Sequence, residues 1–330
     1  MASAAAPHST APLSVVVDTD PGVDDAWALL YLAAQPGVEI VAVGAAHGNV
    51  PTRQAAENAL RVLDAAGLTD VPVAVGHPGP LAQPVATAEF VHGADGLGGQ
   101  AGPASARRPV AESAAEQLVR LARERPGELT LLALAPLTNV ALALRMEPRL
   151  PRLLRGVVHM GGAIRVPGNY SPWADANTGH DPEAAEEVMR AGFALTLVPL
   201  DVTQGAWADG PCLDEVAAAP SATARFASRI LDTYVGIYSS VSGARGCVMH
   251  DPLAAAILLD EQLAQYEERQ VVVELVGHCR GATLVDDRPF TTPDTGILDG
   301  RPPVRIAAAA DTATALERIR KALVTGPATA

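Results

Sequence analysis

The stretch VVVDTDPGVDDAWALL, Val15 to Leu30, carries four carboxylates, Asp18, Asp20, Asp24 and Asp25, within eight residues and has no basic residue among them. Like charges this close repel one another unless water or a cation lies between them. Two acids alone would have an ordinary explanation, since Asp24 and Asp25 suit the positive end of a helix starting there and Asp18 and Asp20 can cap a turn around Pro21 and Gly22. Four on one strand-to-helix turn read better as oxygen ligands for a hard divalent cation. An EF-hand is excluded, because the twelfth residue counted from Asp18 is Leu29, which cannot supply the closing carboxylate.

Other residues able to do chemistry lie far along the chain: Asn49 in HGN, His92 in EFVHGADGLGG, Asp175 and Asn177 in ADANTGHDP, and His250 with Asp251 in MHDP. Each has a plainer reading. Asn favours turns, and Asp251 could simply N-cap a helix begun by Pro252. Tyr234 and Tyr238, four apart on one helical face, suit stacking on a ring or plain packing equally well.

A common frame would bring these residues together. Apolar, β-branched runs alternate with Ala-rich helical patterns: SVVVD then DDAWALLYLAAQ, EIVAVGAA then PTRQAAENALRVLDAAG, ELTLLALA then PLTNVALALRMEP. GVVHMGG, ALTLVPLD and QVVVELV read as further strands. Several runs are apolar throughout, as in a parallel sheet covered on both faces. The expected fold is therefore α/β, a single Rossmann-like domain over residues 13–325, with a largely parallel central sheet and helices on both faces. Thr203 to Cys247 has helical patterning without a strong strand and reads as a helical insertion, and residues 1–12 as a flexible tail. Asp18 and Asp20, Asn49, Leu134 and Met160 all follow strands, so they share the carboxyl edge where open parallel sheets bind ligands.

Composition narrows the ligand. Of 330 residues, 48% are hydrophobic and 18% charged, which fits a globular chain, and the net charge of −13 disfavours nucleic acid or an anionic membrane as partner. Three scattered cysteines, Cys212, Cys247 and Cys279, indicate neither a disulfide framework nor a zinc knuckle. With no signal-like start and no apolar run long enough to span a bilayer, a cytoplasmic location is expected.

The motif DTDPGVDD, Asp18 to Asp25, resembles the signature of the inosine-uridine preferring nucleoside hydrolases, and the likeness continues through HGN, VHGADGLGG, APLTNVALAL, HMGG, ANTGHDPEAA and MHDPLA. The resemblance implies hydrolysis of a ribonucleoside to ribose and free base with Ca²⁺ in the site, in a homodimer or homotetramer. It implies Asp20 as both a calcium ligand and the general base for the attacking water, with Asp25, Asp251 and the backbone carbonyl of Leu134 as further ligands. Asp24 and Asn49 would hold the lower ribose hydroxyls, Asn177 the 3′ region and Asp175 the 5′-hydroxyl, with Met160 packed under the sugar. The family commonly has Glu where this chain has Asp175, one methylene longer. His250 would protonate the departing base, with His92, Tyr234 and Tyr238 near it; where the purine-specific branch tends to place Trp, this His points to pyrimidine or non-specific substrates. Three other functions compete: a haloacid dehalogenase-type phosphatase with Asp18 as nucleophile, a nucleoside-binding protein that has lost catalysis, and a hydrolase of a modified riboside.

Overall fold

The computed structural model describes residues 12–288, 298 and 300–327, so the expected tail lies outside the described residues save for Pro12. In chain order the strands are β1 (Leu13–Thr19), β2 (Val38–Ala45), β3 (Val73–Val75), β4 (Val110–Ser113), β5 (Thr130–Ala133), β6 (Gly156–Met160) and β7 (Leu195–Val198). Six more follow: β8 (Trp207–Asp209), β9 (Gly246–Val248), β10 (Ala264–Arg269), β11 (Val272–Val273), β12 (Thr283–Leu284) and β13 (Val304–Ala310). Nine of them form one sheet in the order β10-β13-β7-β6-β5-β1-β2-β3-β4. Every pairing in it is parallel except β10 with β13 at the edge.

Successive side chains of β1 explain the layering. Val15 and Val17 enter one hydrophobic core and Val16 the other, because residues alternate across a strand and helices cover both faces. At the centre, β1 pairs with β2 on one side and β5 on the other, so Asp18 lies level with Gly44 and Ala133.

The region between β7 and β9 is helical as expected, with helices Gly210–Ala218, Ala222–Arg229 and Asp232–Ser242 bracketed by the short antiparallel pair β8 and β9. QVVVELV departs from its reading as a main strand. Only Val272 and Val273 pair, with β12, and the backbone N–H of Val273 donates instead to the Glu186 carboxylate at 2.9 Å. That side chain, on the helix Pro182–Met189, replaces a sheet partner, while Val271 and Val273 bury in the core.

Two helix starts matter most for function. Helix Val23–Ala33 has Asp24 and Asp25 in its first turn, helix His250–Leu259 has Asp251 in its first turn, and the two helices pack closely together. The N-cap of the second is Met249, so Asp251 is not the cap that the sequence suggested; Asp181, at the start of Pro182–Met189, is a true cap and accepts from Ala184 N at 3.1 Å. Asp251 is the second residue of the helix, and its carboxyl lies close to those of Asp24 and Asp25.

Candidate functional site

Carboxylates from both ends of the chain meet at the carboxyl edge of the sheet. Oxygens of Asp24, Asp25 and Asp251 all lie within 4.8 Å of one another, and the three residues are buried. Asp20, equally buried, adjoins them closely enough to raise the pKa of Asp251 by repulsion. The positive ends of two helices point into this cluster, which offsets part of the repulsion.

Hydrogen bonds fix each acid in a different way. Asp25 accepts from Thr19 Oγ1 at 2.5 Å, Gly22 N at 2.9 Å and Asn49 Nδ2 at 2.9 Å. Asp20 accepts from the backbone N–H of Asn49 at 2.6 Å through Oδ2, while its Oδ1 is buried with no hydrogen-bond partner among the described residues. The HGN turn makes that contact possible: Gly48 has φ +150°, and a Cβ there would come within 1.9 Å of Asp20 Oδ2.

Burial dominates the electrostatics. It pushes the Asp20 and Asp251 carboxyls well above the usual range, with repulsion from Asp25 next in importance, and pushes Asp24 up to about 7. The charges acting on these acids are other carboxylates, not arginines or lysines. An all-oxygen donor set under such repulsion, with one buried oxygen unpaired, fits a hard divalent cation. The carboxylates whose oxygens lie close enough together to share such an ion are Asp24, Asp25 and Asp251, with the unpaired oxygen of Asp20 beside them.

Asn177 links the remaining expected residues. Its Nδ2 donates to the carbonyls of Leu134 and Met160, both at 2.9 Å. Asp175 lies behind it as the N-cap of helix Ala176–His180: Oδ1 accepts from Gly162 N at 2.6 Å and Thr178 N at 3.2 Å, and Oδ2 from Asn177 N at 2.9 Å. Three of the roughly four acceptor positions of a carboxylate are therefore committed to backbone. The short Asp side chain fits this cap, so Asp175→Glu is expected to lower unfolding stability by about 1 kcal/mol and not to raise turnover. Thermal melts beside steady-state rates check both.

A second wall is aromatic. His92 Nδ1 accepts from Val23 N at 3.1 Å, which pins the Gly-rich segment to the start of the first helix, and its ring lies 5.0 Å from that of Tyr234. Tyr234 is buried and donates its hydroxyl to the Val248 carbonyl at 3.0 Å. Tyr238 packs edge-on against it at 4.9 Å, and its hydroxyl is 2.9 Å from His250 Nε2. Burial pulls His250 down to about 4, so the free ring is neutral near pH 7. Outside this wall, Asp95 accepts from the backbone of Leu97, Gly99 and Ala101 and so shapes the loop, and His47 bonds Thr138, which donates to Asp181.

Asp18, the nucleophile of the phosphotransfer alternative, does not join the cluster. Asn139 Nδ2 donates to its Oδ1 at 2.9 Å, and burial raises it to about 7. Thr19 and Asn139, which hold Asp25 and Asp18, carry no signal of their own in the sequence beyond lying inside DTD and LTN.

The model for the inosine-uridine preferring nucleoside hydrolases matches residues 15–317. The chain belongs to the nucleoside hydrolase family. A probable uridine nucleosidase of Arabidopsis thaliana is 34% identical over 94% of this hydrolase and 97% of its own length. A pyrimidine-specific ribonucleoside hydrolase of Enterobacter sp. (strain 638) is 37% identical over 85% and 92%. Among solved structures, a plant nucleoside hydrolase superposes with a TM-score of 0.91 at 32% identity, over 95% of this chain and 99% of that one. The hydrolase is thus an N-glycosyl hydrolase acting on ribonucleosides, and the phosphatase reading is set aside. No helix among its described residues is long and apolar enough to cross a membrane.

Proposed function

We propose that the hydrolase cleaves pyrimidine ribonucleosides, or pyrimidine and purine ribonucleosides without strong distinction, with Ca²⁺ as its cation. The observation that carries this reading is the meeting of Asp251 with Asp24 and Asp25 across more than two hundred residues of chain, beside the unpaired Oδ1 of Asp20. Bound there, Ca²⁺ would supply Lewis acidity to the attacking water and a grip on ribose hydroxyls.

The chain's own residues divide the rest of the work. The reaction passes through an oxocarbenium-like ribosyl cation, so water must be activated on one face while the base leaves from the other. Asp20 Oδ1 is the free acceptor for the water proton, and its Oδ2 is held by Asn49 N. Asp24, Asn49 and Asn177 would bind the ribose hydroxyls, and Met160 would lie beneath the ring. Positive charge developing on the sugar is stabilised by the surrounding carboxylates. The base would leave toward Tyr238 and His250, which are hydrogen-bonded to one another.

His250, together with the likeness to a uridine nucleosidase and a pyrimidine-specific hydrolase, supports the base preference. A cytoplasmic homodimer or homotetramer is part of the same proposal. A reducing-sugar assay across uridine, cytidine, inosine, adenosine and guanosine, with and without chelator, tests it. Ribose release from uridine that stops on chelation is the expected outcome; inactivity on all five with Ca²⁺ present would favour a modified riboside or a binding role.

A further inference from the structure

The imidazole of His250 has a second partner that no sequence motif announces. Thr203 Oγ1 lies 2.8 Å from His250 Nδ1, opposite the 2.9 Å contact between Nε2 and the Tyr238 hydroxyl. Thr203 ends the short turn Leu200–Thr203 that follows β7, and it is wholly buried. Its backbone is satisfied separately, with N donating to Pro199 O at 3.1 Å and O accepting from Ala206 N at 2.9 Å, so the hydroxyl is not needed to hold the turn. Among the described residues its hydroxyl has the histidine ring as hydrogen-bond partner.

We propose that Thr203 is a positioning residue for the leaving-group side of the reaction, holding the His250 ring so that Nε2 faces Tyr238 and the cleft. This rests on the reading of His250 given above. A buried imidazole has two ring nitrogens to satisfy, and a ring free to turn about its Cβ–Cγ bond would not keep one of them aimed at the cleft. A hydroxyl suits the task because it can donate to a bare nitrogen or accept from an N–H, and so holds the ring in every protonation state. A carboxylate in the same place could only accept, so it would hold only the forms that carry a proton on Nδ1. Tyr238 is braced in turn by its edge-on contacts with Tyr234 at 4.9 Å and Trp207 at 6.3 Å, so both ends of the imidazole are fixed by packed elements.

The test separates departure of the base from everything else. Uracil leaves poorly without help, whereas p-nitrophenolate departs from a riboside as a stable anion and needs no proton. Thr203→Val, of equal shape but lacking the hydroxyl, should lower kcat on uridine by about tenfold with KM within about twofold, and leave p-nitrophenyl β-D-riboside hydrolysis within about threefold of the parent. Thr203→Ser should restore uridine turnover. Thr203→Ala carries the same expectation and stands in if the valine packs badly. Equal losses on both substrates, or no loss on either, would overturn the proposal. His250→Ala is the control: if it keeps uridine activity, the role given to His250 falls; if it loses that activity selectively while Thr203→Val does not, the inference about Thr203 alone fails.

Discussion

Asp20→Asn is expected to lower kcat on uridine by about a thousandfold, the middle of the range for removing a general base and equivalent to about 4 kcal/mol of transition-state stabilisation. The substitution preserves shape. One oxygen can still accept from Asn49 N, but the position of the unpaired Oδ1 becomes an amide nitrogen that cannot take a proton. Misfolding would give the same loss of rate, so stability must be read alongside it. Burial and repulsion from Asp25 both raise the pKa of Asp20 in the cation-free protein, so a neutral amide there removes the cost of taking up a proton on folding. The cation-free variant should therefore melt at or above the temperature of the parent while being almost inactive. Asp18→Asn supplies the contrast, since Asp18 lies outside the acid cluster and bonds Asn139, and its rate should stay within about tenfold. If Asp20→Asn kept a tenth of the parent rate, the base would have to be sought elsewhere.

How much of this was legible before the coordinates differs by element, for physical reasons. The central strands were readable because SVVVD, ELTLLALA and ALTLVPLD are apolar on both faces, a pattern that only a doubly covered sheet satisfies. The last two strands of the chain were not. AQYEER in the edge strand β10 is half-exposed and charged, and VRIAAAA in its neighbour β13 is Ala-rich, so neither shows the β-branched run that marks a strand. Conversely QVVVELV has that run and forms only a two-residue pair, because a Glu186 side chain takes the hydrogen bond that a neighbouring strand would.

The site follows the same division. Its acids could be gathered from sequence because strand ends in a parallel sheet share one edge, and because like charges in one short turn demand an explanation. The groups that orient those acids could not. Thr19, Asn139 and Thr203 act through single side-chain contacts to residues up to 121 positions away, and an isolated Thr or Asn looks the same whether it holds a catalytic group or a turn. Asp175 is the instructive case, since its position matches a ligand of the sugar while its oxygens are spent on the backbone of Gly162, Asn177 and Thr178.

The second large effect concerns the cation and its coupling to pH. Saturating Ca²⁺, at about a hundred times its dissociation constant, should stabilise the fold by about 2.7 kcal/mol, and chelation should abolish uridine hydrolysis. In a chain of this size that corresponds to a rise in Tm of about 4 °C. The rise should depend on pH in a definite direction. Asp24 is pushed up to about 7, and Asp20, Asp25 and Asp251 are raised too, so the cation-free folded state holds protons that the unfolded chain has released. The stability that Asp24 contributes in this way is fully present below the ordinary carboxylate pKa near 3.9 and is lost as pH rises through about 7, and the other three raised carboxyls act in the same direction. A bound divalent ion reverses this by favouring the ionised acids, so binding releases protons and tightens as pH rises. The difference in Tm with and without Ca²⁺ should accordingly be small near pH 5 and grow as pH rises through 7. Titration calorimetry in two buffers of different ionisation enthalpy should register the protons released at pH 6. A difference in Tm that stayed flat across this range, with no proton release, would mean that the buried carboxylates are not where the ion binds. Asp251→Asn makes the same point from the other end of the chain, because it should weaken Ca²⁺ binding while removing a raised carboxyl from the cation-free protein, shrinking the Ca²⁺-induced rise at neutral pH without lowering the cation-free Tm.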